Sequence, residues 1–240
     1  MSDTTAISGP LRVAAIVLDI EGTTSSIDFV HEVLFPYAAR ELPAFVRNNH
    51  QQSAVRSLLA DVRSEAREPE AATERIVQIL LQWIKEDRKA TSLKALQGMV
   101  WEKGYRDGDF KGHVYPEASR NMRDWAAGGI GLYIYSSGSV QAQKLLFGHS
   151  EAGDLRPLIR GYFDTRIGPK RDMASYRLIA DTLQLSAGKI LFLSDVAAEL
   201  DAAASAGMQT VQLVRDARVV RGRHRMAADF DSIPVSLIAQ

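Results

Sequence analysis

Residues 14–26 read AAIVLDIEGTTSS: an apolar run ends on Asp19, one residue separates it from Glu21, and the chain turns polar at Gly22. An apolar run of this length, closed by a polar turn, reads as a short strand buried on both faces, with Gly22, Thr23 and Thr24 as the turn. Two acids then sit at the carboxyl tip of a buried strand. Side chains alternate in an extended segment, so Asp19 and Glu21 project to the same side, into one small volume. Like charges so placed repel unless something cationic lies between them. The plain alternative is a pair of solvated loop acids, and this segment alone does not separate the two.

Downstream the texture changes. Residues 29–48, 51–67, 69–87 and 91–105 carry apolar residues at helical spacing, as at Ile76, Ile79, Leu80 and Trp83. From Gly129 the pattern alternates. Strands are expected at 130–135, 161–165, 190–193 and 209–214, separated by helices at 140–147, 172–183 and 196–206. Such alternation is the signature of a parallel sheet with helices on its faces. The strand that opens the chain belongs to this sheet, because followed only by helices it would have no partner. The expected fold class is therefore α/β: a Rossmann-like doubly wound parallel-sheet core, residues 1–26 and 116–240, with an inserted all-helical cap domain, residues 27–115. Within the latter the insertion proper ends near Lys111, and a linking helix from Pro116 to Ala127 leads back into the sheet.

The chain has 240 residues, enough for one large domain or two modest ones with a real core. Its 29 basic and 29 acidic residues cancel, so no bulk field draws it to nucleic acid or to an anionic membrane, and an anion site has to be local. The absence of cysteine removes disulfides, thiolate metal sites and cysteine nucleophiles, and fits a reducing compartment. The opening MSDTTAISGPLR has neither the basic flank nor the apolar stretch of an export signal, and no apolar run approaches a membrane span. A cytoplasmic protein, monomeric by default, is expected.

Ligands of open parallel sheets bind beyond the carboxyl ends of the strands, so the residue on which each strand ends carries the information. The first ends on Asp19 and Glu21. The second, GLYIYSSGS, ends on Ser136, Ser137 and Gly138 at a helix start; the third, GYFDTRIGPKRD, leads to Lys170; the fourth, KILFLSDVAAELDAA, ends on Ser194 and Asp195. Each has a dull reading by itself: the serines as helix caps, Lys170 as a solvated lysine, Asp195 as the cap of the following helix. Together, an acid pair, a hydroxyl loop, a lysine and a further acid on four strand tips suit phosphoryl transfer. Asp19 can attack phosphorus to give an aspartyl phosphate. Mg²⁺ held by carboxylates, with lysine, hydroxyl and backbone N–H donors, would offset the substrate's charge. Glu21 could protonate the leaving oxygen and then deprotonate the attacking water.

These strand-tip motifs resemble those of the haloacid dehalogenase superfamily, whose pattern is Asp-x-Asp-Gly-Thr, then Ser or Thr, then Lys, then an acidic loop. The departure is Glu21, where phosphatases of that superfamily usually carry Asp. The blocks DIEGTTSSIDFVHEVLFPYA, GMVWEKGYRDGDFKGHVYPE, YIYSSGSVQAQKLLFGHS and FLSDVAAELDAA narrow the likeness to the acireductone synthase family, the bifunctional enolase-phosphatases of methionine salvage. They span most of the chain, the helical insertion included. The resemblance implies a small phosphorylated substrate, 2,3-diketo-5-methylthiopentyl-1-phosphate, and one Mg²⁺ per subunit. It also implies Asp19 and Asp195 as side-chain metal ligands, Glu21 as a ligand through its backbone carbonyl, and Ser136, Ser137 and Lys170 as phosphate holders. The rivals are a general phosphomonoesterase or phosphomutase of the same superfamily, and a non-catalytic binding module on the same fold.

The remaining features read as structural. The five histidines, at 31, 50, 113, 149 and 224, lack paired metal-ligand spacing, although His113 lies in a family-like block. The arginines at 215, 218, 221, 223 and 225 read as a solvated loop face, and Trp83, Trp101 and Trp125 as helix core residues.

Overall fold

A computed structural model describes residues 9–238. Most of the N-terminal stretch read above for an export signal lies outside them. The chain opens with strands Leu11–Val13 (β1) and Ala15–Leu18 (β2). It continues through a helical turn Ile27–Phe29 (α1), a π-helical turn Val30–Leu34, and helices Phe35–Asn49 (α2), Ser53–Ala66 (α3), Thr73–Lys85 (α4) and Thr91–Asp107 (α5). Then follow Pro116–Ala127 (α6), Gly131–Tyr135 (β3), Val140–Gly148 (α7), Ile159–Phe163 (β4), Met173–Leu183 (α8), Ile190–Ser194 (β5), Ala197–Ser205 (α9), Gln209–Leu213 (β6), Arg225–Ala227 (β7) and Val235–Leu237 (β8). None of the helices described is long and apolar enough to cross a membrane.

The chain forms two compact units, one of residues up to Ile27 together with Gly112 onward, the other Asp28–Lys111. The first is built on a six-stranded sheet of order β4-β3-β2-β5-β6-β7, every neighbouring pair parallel. Central position explains the apolar run that opens the sequence: all four residues of β2 are buried, its edges paired with β3 and β5 and one face, Ala15 and Val17, packed with Tyr176, Ile179 and Leu200 of α8 and α9. One apolar layer of this unit joins Ala15, Val17, Tyr135, Tyr176, Ile179, Phe192 and Leu200. Residues 112–115 pack with the sheet: Gly112 N–H donates to the His149 carbonyl (2.9 Å) and Tyr115 N–H to that of Thr24 (3.1 Å). From β2 the chain winds outward through β3 and β4, then crosses to β5 on the other flank of β2. The switch point of the sheet therefore lies between the carboxyl ends of β2 and β5, the place where such sheets bind ligands.

The second unit is a helical bundle whose core includes Leu42, Val46, Val55, Leu59, Val62, Ile76, Leu80, Leu93 and Leu96. The residues whose spacing marked the third helix, Ile76, Ile79, Leu80 and Trp83, are all buried there. Trp125 is buried in the sheet unit; Trp101 is only partly buried, and its indole N–H donates to the Leu34 carbonyl (2.8 Å).

Several elements differ from the sequence reading. The third strand ends at Phe163, two residues early, because the Asp164 carboxylate accepts the N–H groups of Arg166 (3.0 Å) and Val140 (3.3 Å) and so turns the chain. The third helix starts at Thr73 rather than near Pro69. Strands β1, β7 and β8, three residues each, were not anticipated, since segments so short carry no periodicity.

Candidate active site

β2 is still in register when it reaches Asp19, whose N–H donates to the Leu193 carbonyl (3.0 Å). The chain then folds back on the Ile20 carbonyl, which accepts the N–H groups of Thr23, Thr24 and Ser25 (3.2, 2.9 and 2.9 Å). Thr24 Oγ1 donates to the Asp19 carbonyl (2.6 Å). Gly22 lies at φ +72°, and a Cβ there would stand 2.3 Å from Asp195 Oδ2. Glycine therefore meets two demands, a left-handed turn and the close approach of a carboxylate.

The solvated reading is excluded for Asp19, which is 3 % exposed, while Glu21 is half-buried. Its Oδ1 accepts from the Ile20 N–H (2.7 Å) and from Lys170 Nζ (2.6 Å). Lys170, whose side chain is 10 % exposed, reaches Glu199 Oε2 on α9 at 2.6 Å. An ammonium has three donors; two are engaged, which leaves one for a ligand. Ser194 Oγ lies 3.2 Å from Asp19 Oδ2 and 3.1 Å from Glu199 Oε2, within reach of both acids with a single proton to give.

Asp195 does not cap α9: the residue at that position is Val196, and no side chain caps the helix. Its N–H donates to Thr23 Oγ1 (2.9 Å) and its carbonyl accepts from Gln212 Nε2 (2.9 Å). Its Oδ1 is buried without a hydrogen-bond partner. On the next strand tip, Ser136 Oγ donates to Glu21 Oε2 (3.3 Å) and accepts the Gly138 N–H (3.1 Å). Ser139, not Ser136, caps α7, and Ser137 is exposed. The structure thus brings Lys170 to Asp19, Ser136 to Glu21 and Asp195 to the turn that follows Asp19, and leaves Ser137 exposed on the loop of Ser136.

Four carboxylates, Asp19, Glu21, Asp195 and Glu199, gather at these strand tips, and the one ammonium of Lys170 pairs with two of them, Asp19 and Glu199. Burial, reinforced by the charge of Asp19, raises Glu21 above its ordinary range and pushes Asp195 up to about 6 and Glu199 up to about 7. Burial acts to lower Lys170, but the charges of Asp19 and Glu199 outweigh it and hold the amine protonated. Such an excess of buried and half-buried negative charge suits a cation. The unpartnered Oδ1 of Asp195 fits a hard, oxygen-liganded ion. Among the described residues no three His, Cys, Asp or Glu side chains are arranged to hold a metal. An ion here would take two carboxylates and complete its shell with carbonyl and water oxygens, as Mg²⁺ does.

Two groups of residues escaped the sequence reading. Glu199 follows Asp195 by one helical turn, and that i, i+4 spacing of acids behind a strand tip was the available signal. Arg215, read as part of a solvated face, is only 10 % exposed at its side chain. Its Nε–H donates to the Thr23 carbonyl (2.7 Å), and its guanidinium lies 3.7 Å from the centre of the Tyr115 ring. Arg218, Arg221, Arg223 and Arg225 are exposed, as expected.

Residues 13–207 match the haloacid dehalogenase-like hydrolase family. The chain is 59% identical over 225 residues to enolase-phosphatase E1 of Pseudomonas aeruginosa strain UCBPP-PA14, covering 94% of this chain and 100% of the relative. It is 53% identical over 226 residues to enolase-phosphatase E1 of Erwinia tasmaniensis, covering 94% and 99%. Among solved structures it resembles the UTR4 protein of Saccharomyces cerevisiae, with TM-score 0.79, 34% identity and coverage of 92% and 100%. It shares the fold of CbbY from Rhodobacter sphaeroides, with TM-score 0.60, 16% identity and coverage of 93% and 97%. A switch-point acid cluster and matches that run almost from end to end agree: the chain belongs to the haloacid dehalogenase-like hydrolase family, among its enolase-phosphatases.

Proposed function

We propose that this hydrolase is a bifunctional enolase-phosphatase of methionine salvage, converting 2,3-diketo-5-methylthiopentyl-1-phosphate to 1,2-dihydroxy-3-keto-5-methylthiopentene and phosphate. The observation that carries the reading is the buried contact of Asp19 with Lys170, beside an acid, Glu21, that burial keeps protonatable.

In the phosphatase half-reaction an Asp19 carboxylate oxygen attacks phosphorus. The phosphorus–oxygen bond to the substrate carbon breaks, an aspartyl phosphate forms, and Glu21 gives its proton to the leaving oxygen. Water then attacks the same phosphorus, Glu21 takes the water's proton, and the bond to Asp19 breaks to release phosphate. A raised Glu21 serves both directions, because the residue has to be protonated for the first transfer and ionised for the second. The third donor of Lys170, the Ser136 hydroxyl and the loop through Ser137 meet the phosphate oxygens. Mg²⁺, when bound, supplies charge against phosphate and nucleophile; Asp19 and Asp195 would hold it with their side chains and Glu21 with its carbonyl. Substrate choice and exclusion of water are assigned to the helical insertion. A cytoplasmic monomer remains our reading.

The extra methylene of Glu21, relative to the commoner Asp, extends its reach by about one bond, which matters when proton transfer needs heavy atoms within about 2.6–3.2 Å. Glu21 therefore serves the enolisation as well, at the carbon beside the carbonyl. The test follows enediol absorbance, phosphate release and solvent-deuterium exchange at the acidic C–H position together. Glu21→Asp is expected to slow exchange more than hydrolysis of a simple phosphate ester, and Glu21→Gln to slow both. Normal exchange in Glu21→Gln with phosphate release abolished would move the enolisation base to the helical insertion.

A further inference from the structure

Arg215 stands two residues beyond β6, outside the strand tips that carry the acids, yet it is bound to the loop that follows the nucleophile. Its Nε–H donates to the Thr23 carbonyl (2.7 Å), and Nη1 forms an ion pair with Glu117 Oε1 on the first turn of α6 (2.8 Å). The guanidinium is packed against Tyr115 at 3.7 Å and lies 5.5 Å from the centre of Phe230. Its Nη2 is buried with no hydrogen-bond partner. Burying a guanidinium with a donor unsatisfied costs free energy, and such a cost persists where the group fixes something else.

What it fixes is Thr23. That residue is fully buried and presents two oxygens in opposite service: the carbonyl accepts from Arg215, and Oγ1 accepts the N–H of Asp195 (2.9 Å). The next residue repeats the arrangement, since the Thr24 carbonyl accepts the Tyr115 N–H (3.1 Å) while Thr24 Oγ1 donates to the Asp19 carbonyl (2.6 Å). The turn is therefore gripped from outside at two successive carbonyls, and from inside its hydroxyls hold the backbones of Asp19 and Asp195. With Gly22 leaving no slack against Asp195 Oδ2, a rotation of the Thr23 peptide would carry Asp195 with it.

We infer that Arg215 is a positioning residue that sets the spacing of the Asp19 and Asp195 carboxylates through Thr23, and thereby tunes the affinity of the site for a divalent cation. This rests on the reading of those two acids as Mg²⁺ ligands. Lysine is a poor substitute: one ammonium on a flexible stem cannot hold the Thr23 carbonyl, pair with Glu117 and lie flat on Tyr115 together.

The experiment is calorimetric titration of Mg²⁺ into the substrate-free full-length protein, alongside kcat and KM for phosphate release at saturating Mg²⁺. Partners behind metal ligands contribute about 10–100-fold to metal affinity, so Arg215→Met is expected to weaken Mg²⁺ binding by about tenfold or more and to lower kcat with KM little changed. Thr23→Val, which keeps Arg215 but removes the acceptor of the Asp195 N–H, is expected to do the same. The double variant should fall within about twofold of the weaker single one, because both cut one path. Arg215→Lys, which keeps the charge, serves if Arg215→Met does not fold; it is expected to weaken Mg²⁺ binding while circular dichroism and melting stay close to wild type. Folded Arg215 variants with wild-type Mg²⁺ affinity and kcat, or singles whose effects multiply in the double, overturn the inference. A wild-type protein that binds no Mg²⁺ overturns the metal assignment instead, and is told apart because no variant is needed to see it.

Discussion

Replacing Lys170 by Met removes the one cation from a cluster of four acids while keeping most of the side chain's volume. Each of its two contacts is 2.6 Å long, a gross attraction of about 6 kcal/mol at an effective dielectric of about 20. Most of that is spent in taking the ammonium out of water. Breaking a buried pair usually costs about 3–5 kcal/mol, because a charge is left alone. Here the cost is capped, since burial and the charge of Asp19 push Glu199 up to about 7, so that a proton near neutrality can replace the lost ammonium. A stability loss of about 1–3 kcal/mol at pH 7 is therefore expected, smaller at pH 6. Catalysis has no such escape. A preorganised donor at the reacting charge is worth about 10²–10³ in kcat, and Lys170→Met should lose that much. Mg²⁺ should bind about as tightly as to the wild type, because the proton gained by Glu199 replaces the lost positive charge and neither Asp19 nor Asp195 is removed. The assays are urea unfolding at pH 6 and 7, single-turnover phosphate release, and Mg²⁺ calorimetry. A kcat within tenfold of wild type, or weakened Mg²⁺ binding, would refute the reasoning.

Two further outcomes follow from the same geometry. Gly22→Ala should cost about 1–2 kcal/mol for the left-handed backbone alone, and because its Cβ would meet Asp195 Oδ2 at 2.3 Å, Mg²⁺ affinity measured by calorimetry should fall while overall secondary structure by circular dichroism is retained. The metal-free protein should melt higher as pH falls from 8 toward 5. Glu199 binds its proton more tightly folded, at about 7, than at its ordinary 4.5, so the penalty of burying its charge, a few kcal/mol at most, is complete above the folded value and absent below the unfolded one. Glu199→Gln should flatten that part of the profile of melting temperature against pH.

The sheet and the acid cluster were legible in the sequence for one reason: each is written in a local pattern. β2 is an unbroken apolar run because a central strand is buried on both faces, and Asp19, Ser136 and Asp195 stand out because each interrupts such a pattern at a strand tip. Helical spacing marked the insertion in the same way, through residues such as Ile76, Leu80 and Trp83 that fill one face. The family resemblance added the substrate, which no spacing contains.

Other decisions required the folded chain. Arg215 and Arg218 are three residues apart in one arginine-rich stretch; only the first is buried, because Thr23, Tyr115 and Glu117 come from elements about a hundred or more residues away and close around it. That Lys170 lies on Asp19, that Ser136 faces Glu21, and that Asp195 keeps an oxygen unpartnered instead of capping its helix are likewise matters of distance between strand tips. The sequence by itself determined which side chains reach the carboxyl edge of the sheet, since alternation and strand ends are local. Which of them share a proton, a charge or a peptide was decided by strand order, which brings β5 beside β2 across more than 170 residues of chain, and electrostatic coupling depends on that spatial distance rather than on sequence separation.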